Sequence, residues 1–366
     1  MEYRPGLEDI PAAETAISYL DLEREEIVIR GYDLIELARK RTYTDVVGLL
    51  LYGKLPDEEG RKALEAELLK VEVPEAVYTL LRALPLSAHP MDRLRTAVSA
   101  LGAFEPDLED PSPEAAQRRG LRAIARSAAV VANLERVALG EAPKPLQGDT
   151  FPEAFLWAVR GQKPLPEEVR AFDQSLIAYG EHELPNSTFA ARVIASTLSD
   201  LYAALTGAVA SLKGPLHGGA NEAVIHLMLE AKTPEGLEAL MREKLARKER
   251  IMGFGHRVYM RRMDPRAALM KETLKALAQS RPEAALWLEM GERGEQVMQE
   301  CKGLYPNLDY YAALVYYVLG LPIPLYTPIF FAARTVGLVA HVNEQLAHNR
   351  LFRPRVIYAG PRGLTL

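Results

Sequence analysis

Two histidines and one aspartate stand where their side chains could do chemistry. Gly214 to Glu222 reads Gly-Pro-Leu-His-Gly-Gly-Ala-Asn-Glu, and Gly253 to Arg257 reads Gly-Phe-Gly-His-Arg. The glycines leave the backbone beside each imidazole almost unobstructed. From Ala220 the apolar spacing of Val224, Leu227 and Met228 predicts an amphipathic helix, which puts His217 at its N-terminus. The partial positive charge of a helix start disfavours imidazolium, so a neutral, hydrogen-bond-donating His217 fits there. An ordinary capping histidine in a tight turn fits equally well. Neutral imidazoles at His217 and His256 would polarise carbonyl oxygens and stabilise the charge of an enolate or alkoxide.

Asp309 lies at the mouth of the uncharged stretch Tyr310 to Leu319. A carboxylate stripped of hydration is a stronger base, suited to removing a proton from carbon beside a carbonyl; capping the helix explains the same residue. Arg266, Arg334 and Arg353 are suited to a substrate with several carboxylates, because guanidinium binds carboxylate in bidentate fashion, although each also reads as a surface ion pair. His182, between Glu181 and Glu183, is a further anion contact or a solvated turn residue. His89, His226, His341 and His348 sit in or beside helical patterns. The candidate residues lack short metal-ligand spacing and the chain has no HExxH, so no metal is expected; a GxSxG elbow is also missing.

The elements that must position these residues are helices. Ile17 to Tyr19 and Ile27 to Arg30 read as two short strands or a hairpin, closed by Gly31. Asp33 then precedes a helix to Lys40, Thr44 begins another that stops at Gly53, and Asp57 caps a third to Lys70. Pro74 and Pro90 suit first-turn positions, and Leu94, Ala97, Val98 and Leu101 keep helical spacing to Gly102. Ser112-Pro113-Glu114 opens a long helix to Leu139 bearing Arg118, Arg122 and Arg126, read as a solvated basic stripe. Helices over Glu153 to Val159 and Glu167 to Tyr179 follow, and Phe189 to Leu212 reads as one long interior helix. Beyond His217 come a charged helix within Thr233 to Arg250, one from Asp264-Pro265-Arg266 through Leu277, one from Pro282 to Cys301, the Tyr310 helix, and a last from Pro328 to Asn349.

Composition limits what such a chain does. Its 366 residues, 48% of them hydrophobic, are enough for one large domain or two ordinary ones with a sizeable core. A net charge of −5 and no basic block argue against nucleic acid. A lone cysteine, Cys301, and no charged-then-apolar leader point to a reducing cytoplasm. Tyr310 to Ala333 carries no formal charge and has the length of a membrane span, but Gly320, Pro322, Pro324 and Pro328 break it, so two buried segments are expected instead. Sparse Asn and Gln beside abundant Glu, Lys and Arg hint at a heat-adapted source.

With these residues in place the chain resembles the citrate synthase family over nearly its whole length, from Ala13-Glu14-Thr15-Ala16-Ile17-Ser18-Tyr19 to Arg353-Pro354-Arg355. The motifs that carry the resemblance are His217-Gly218-Gly219-Ala220-Asn221-Glu222, Gly253-Phe254-Gly255-His256-Arg257-Val258-Tyr259 with Asp264-Pro265-Arg266, and Pro306-Asn307-Leu308-Asp309. The resemblance implies an all-α, multi-helical fold with a few short N-terminal strands. A large domain, residues 1–217 and 320–366, would carry an inserted small mobile domain, residues 218–319. It further implies a homodimer with shared active sites that condenses acetyl-CoA, a co-substrate, with oxaloacetate, and no permanently bound cofactor.

By the same likeness Asp309 takes the methyl proton, His217 holds the thioester oxygen and His256 polarises the ketone. His182, Arg266, Arg334 and, from the partner subunit, Arg353 bind oxaloacetate. Arg261 and Arg262 fall where relatives place basic residues near CoA phosphates. The chain departs from the family at Pro185-Asn186, where relatives often read Asn-Ala. It also begins at the shared core, without the extension of hexameric, NADH-regulated members, so an unregulated dimer is expected. The same family includes 2-methylcitrate synthase, which uses propionyl-CoA; from a different class, a helical assembly protein could keep the fold and lose the chemistry.

Overall fold

The structure is a computed structural model that describes residues 3–256, 258–259 and 262–365. Its only sheet among these residues is small and antiparallel: β1 (Ser18–Asp21), β2 (Glu26–Ile29) and β3 (Tyr32–Asp33), in that order. Ser18 pairs with Ile29, and Val28 with Asp33. The third strand was not expected from the sequence. It forms because Arg30 and Gly31 take positive φ and turn the chain back on itself.

Among the described residues sixteen α-helices follow. Side-chain caps set the N-termini of α1 (Leu34–Lys40, Asp33), α2 (Tyr43–Tyr52, Thr42) and α3 (Glu58–Lys70, Asp57). In α2 a reciprocal pairing of Thr42 with Asp45 starts the helix before Thr44, correcting the sequence reading. Next come α4 (Glu75–Arg82), α5 (Pro90–Gly102), α6 (Pro113–Ala138), α7 (Phe151–Arg160) and α8 (Pro166–Gly180).

The stripe on α6 is not a solvated face. Arg122 Nε and Arg126 Nη1 donate to the buried carboxylate of Glu105, at 2.8 and 3.2 Å, and Arg118 Nε donates to Asp107 at 3.1 Å. An acidic turn between α5 and α6 thus folds over the arginines and neutralises them.

The expected interior helix over Phe189 to Leu212 is two helices, α9 (Asn186–Ala195) and α10 (Leu201–Leu212), packed against each other. Ser196 and Thr197 turn their hydroxyls back onto the carbonyls of Val193 and Ile194. Leu198 then adopts φ 66, and Asp200 caps α10 by accepting from Ala203 N at 3.0 Å. Local side-chain hydrogen bonds thereby outweigh the apolar pattern.

The remaining helices are α11 (Ala220–Ala231), α12 (Pro234–Ala246), α13 (Pro265–Ser280), α14 (Pro282–Lys302), α15 (Leu308–Val318) and α16 (Tyr326–Ala347). Helices α11 to α15 pack chiefly on one another, and α8 and α16 bridge them to the rest. The segment Ile323–Ala347 is long and apolar enough to cross a membrane, yet 89% of its apolar window is buried inside the fold.

Helix α16 is the centre of the core, touching α2, α5, α6, α8, α9 and α10. Aromatic rings run from Tyr43 through Phe151, Phe155, Phe172 and Tyr316 to Tyr179 and Phe330, linking α2, α7, α8, α15 and α16. The line of rings ends where the candidate residues meet. One face of α16 is equally constrained. A Cβ on Gly337 would overlap the Glu181 carboxylate and the Gly180 carbonyl, both fixed. Gly337→Ala should therefore destabilise the fold by about 1–3 kcal/mol, as overpacked sites do, and lower the urea midpoint without changing the slope.

Candidate functional site

His182, His217, His256, Arg266, Asp309 and Arg334 all line one cavity of about 960 Å³. It lies where the ends of α8, α13, α15 and α16 meet the turns before α9 and α11. Sequence positions spread over more than 150 residues are thus brought to one place.

His217 is held by a turn in which its N–H donates to Gly214 O at 2.9 Å. Gly218 must be glycine, since a Cβ there would overlap Leu212 O. The imidazole does not cap α11. Its Nε2 accepts from Ser187 N at 3.3 Å and lies 2.9 Å from Ser187 Oγ, so the ring proton of the neutral form belongs on Nδ1. Burial, reinforced by the Arg334 charge, holds the His217 pKa down to about 4. Desolvation and a nearby cation, rather than the helix terminus, keep this residue neutral.

His256 accepts at Nδ1 from Val258 N at 3.0 Å, which leaves Nε2 as its donor. Burial, with Arg266 nearby, holds it to about 4 as well. His182 packs edge-on to His256 with ring centroids 5.3 Å apart, and its Nε2 lies 3.0 Å from Tyr259 Oη. Burial and the charge of Arg266 hold it well below the usual imidazole range. It is a buried residue, not a solvated turn histidine.

Asp309 is not the cap of α15. Asn307 takes that role, accepting from Asp309 N at 3.1 Å, and Asp309 occupies the first turn with its side chain partly open to the cavity. Its Oδ1 accepts from Tyr179 Oη at 2.7 Å. Burial pushes the carboxyl up to about 6, while the Tyr179 hydrogen bond, Arg266 and Arg334 pull it back. It is an ionised but strengthened base at pH 7.

The loop bearing His256 is tied to the start of α15. Gly255 N donates to Tyr305 O, Asn307 N to Gly253 O, and Asn307 Nδ2 to Gly255 O, at 2.8, 2.9 and 3.1 Å. Buried Asp264 caps α13, grips Arg266 through Nε and Nη2 at 3.1 and 2.7 Å, and also accepts from Leu308 N at 3.3 Å. Arg334, 2% exposed, stacks over Phe330 at 4.8 Å and donates from Nε to Tyr179 O. Among the described residues its Nη1 is buried without a partner. Burial holds its pKa down to about 10, so it stays charged at pH 7.

Two sequence candidates lie apart from this cluster. Arg353 is exposed on the tail after α16, donating to Pro354 O at 2.8 Å, and does not line its own chain's cavity. Arg262 pairs with Glu25 and Leu22 O of the β1–β2 turn. Arg261 lies outside the described residues.

Tyr179, Ser187, Tyr259, Phe330 and Asp264 contact the candidate groups without having been given roles from sequence. Tyr259 and Asp264 stand inside the quoted motifs, and Ser187 in the turn after His182. Nothing local distinguishes Tyr179, the penultimate residue of α8.

The sequence model described as citrate synthase, C-terminal domain, matches residues 6–355. Citrate synthase of Heyndrickxia coagulans is 55% identical over 366 residues, covering 99% of this chain and 98% of that one. The citrate/2-methylcitrate synthase of Bacillus subtilis (strain 168) is also 55% identical, covering 98% and 97%. Among solved structures, the ternary complex of carboxymethyl coenzyme A and oxaloacetate with citrate synthase from Thermoplasma acidophilum matches with a TM-score of 0.93 at 33% identity. That match covers 100% of this chain and 98% of the other.

The raised pKa of Asp309 has a consequence for stability. A carboxyl whose folded pKa lies above its unfolded value stabilises the fold below the unfolded pKa of 3.8, and that contribution is lost as pH rises through about 6. Ionised Asp309 is therefore a cost at neutral pH. Asp309→Asn should raise unfolding free energy by on the order of 2–3 kcal/mol at pH 7.5, and the gain should vanish near pH 4, as followed by urea unfolding at both values.

Proposed function

The chain belongs to the citrate synthase family and is an acyltransferase, and we propose that it makes citrate from oxaloacetate, with acetyl-CoA preferred over propionyl-CoA. The observation that supports this reading is the pairing of one strengthened carboxylate with two neutral imidazoles around a single arginine-lined cavity. Arg266, Arg334 and His182 hold the oxaloacetate carboxylates, with Arg353 of the partner subunit completing the set in a homodimer. Asp309 takes a methyl proton from acetyl-CoA. The His217 Nδ1–H steadies the enolate oxygen that results, and the His256 Nε2–H polarises the ketone it attacks. Citryl-CoA is then hydrolysed to citrate and CoA. No permanently bound cofactor enters this scheme, and Arg262, with Arg261, is assigned to the CoA phosphates.

Residues 218–319, which contain α11 to α15, form the small domain in this reading. Residues 1–217 and 320–366 form the large one. Closure between them would shut water out until the carbon–carbon bond has formed.

The relative named citrate/2-methylcitrate synthase supports a second reading with propionyl-CoA, because one methylene is worth only about 1–3 kcal/mol of discrimination. Comparing kcat/KM for the two acyl-CoAs decides between them: acetyl-CoA should win, and a large preference for propionyl-CoA would reverse the assignment. Asp309→Asn should lower kcat by at least about 100-fold while oxaloacetate still binds by calorimetry. Near-normal turnover in that variant would remove Asp309 as the base. For the shared site, an Arg353→Ala chain mixed with an Asp309→Asn chain should regain activity, which a self-contained site would not allow.

A further inference from the structure

Tyr179 joins the two halves of the cavity. Its carbonyl accepts from Arg334 Nε, and its hydroxyl donates to Asp309 Oδ1 at 2.7 Å. The ring itself is fully buried, edge-on to Phe330 at 4.6 Å between centroids and tilted against Tyr316 at 6.2 Å. A phenylalanine would make the same ring contacts. What tyrosine adds is one hydroxyl, and that hydroxyl is directed at a carboxylate.

We propose that Tyr179 is a positioning residue for the base, fixing Oδ1 of Asp309 so that Oδ2 faces the substrate and takes the proton. This inference rests on the reading of Asp309 as the base. Among the described residues Oδ2 accepts no side-chain or backbone hydrogen bond, so only one oxygen of the carboxylate is free. A buried tyrosine hydroxyl needs a partner, and the anionic form of Asp309 rewards the donor more than the neutral acid does. The phenol is itself held far above its usual range by burial and the neighbouring carboxylate, so it remains a donor throughout the working pH range.

The other groups around Asp309 are few. From α13 come Arg266 and its cap Asp264, from α16 Arg334, and from its own helix Tyr316. From α11 the neutral Asn221 side chain meets the phenol oxygen. Glu292 and Glu295 of α14 act on Tyr311 instead. Removing the hydroxyl therefore leaves the surrounding charges in place and takes one donor away from Asp309.

The test is the pH profile of kcat at saturating oxaloacetate and acetyl-CoA. Tyr179→Phe should move its acidic limb upward by about one pH unit, since a carboxylate that loses a donor protonates more readily. Replacing Tyr179 by 3-fluorotyrosine, a stronger donor of nearly the same shape, should move the limb downward. The second variant decides the matter should the first fail to fold. A limb that stays put in the fluorotyrosine protein, or in a folded Tyr179→Phe protein whatever its kcat, would overturn the role. Turnover by Asp309→Asn is a separate outcome: it would remove the base assignment itself, whereas an unmoved limb with an inactive Asp309→Asn removes only Tyr179.

Discussion

A guanidinium stripped of water sets the character of the cavity. Arg334 is buried on the central helix with one nitrogen unpartnered among the described residues, a state that costs free energy. Its charge reaches His217, His182 and Asp309. It works against protonation of His217 and His182, and it favours the carboxylate form of Asp309. One buried cation thus helps keep two imidazoles neutral and one acid ionised, against a burial penalty that by itself would protonate the acid.

Such a cation has to be held, and the network that holds it extends to the surface along one face of α16. Glu181 lies beside Arg334, and burial alone would raise its pKa. His341, Arg334 and Ser18 together hold it below the usual carboxylate value. Ser18 Oγ donates to it from β1 at 2.6 Å, and His341 Nε2 is 2.9 Å away. Arg192 of α9 lies 2.9 Å from His341 Nδ1 and bonds Glu344 at 2.8 Å. Since Arg192 can only donate, Nδ1 is the acceptor and Nε2 carries the proton toward Glu181. The same Ser18 hydroxyl accepts from Glu183 N at 2.9 Å, so the small sheet fastens the loop that carries His182.

Much of this was legible in the sequence, because the residues that begin helices also announce themselves. Asp33, Asp57, Ser112 and Asp264 each occupy the expected cap, and the glycine-flanked histidines and Asp309 do converge. The failures share a cause: tertiary partners invisible to local pattern. The Arg118 stripe looked solvated because Glu105 and Asp107 lie in a separate turn. The split between α9 and α10 turned on hydroxyls that compete for backbone carbonyls inside an apolar run. Tyr179 was opaque because its partners, Asp309 and Arg334, are more than a hundred residues away. Even where the outcome was right, the reason differed: His217 is neutral through burial and Arg334, with its imidazole turned to Ser187.

The knot of hydrogen bonds between the His256 loop and the start of α15 has a mechanical meaning. Asp264, Asn307 and the strand-like contact of Phe254 with Pro306 fasten His256, Arg266 and Asp309 into one block. His217, His182 and Arg334 belong to different elements and meet that block across the cavity, through Tyr179 and Tyr259, or at the edge-on contact of His182 with His256. Any rearrangement that carries His256 carries Asp309 at a constant spacing. The gap between the His256 imidazole and the Asp309 carboxylate is built like the fixed jaw of a vice, so that only the opposing jaw has to find its place.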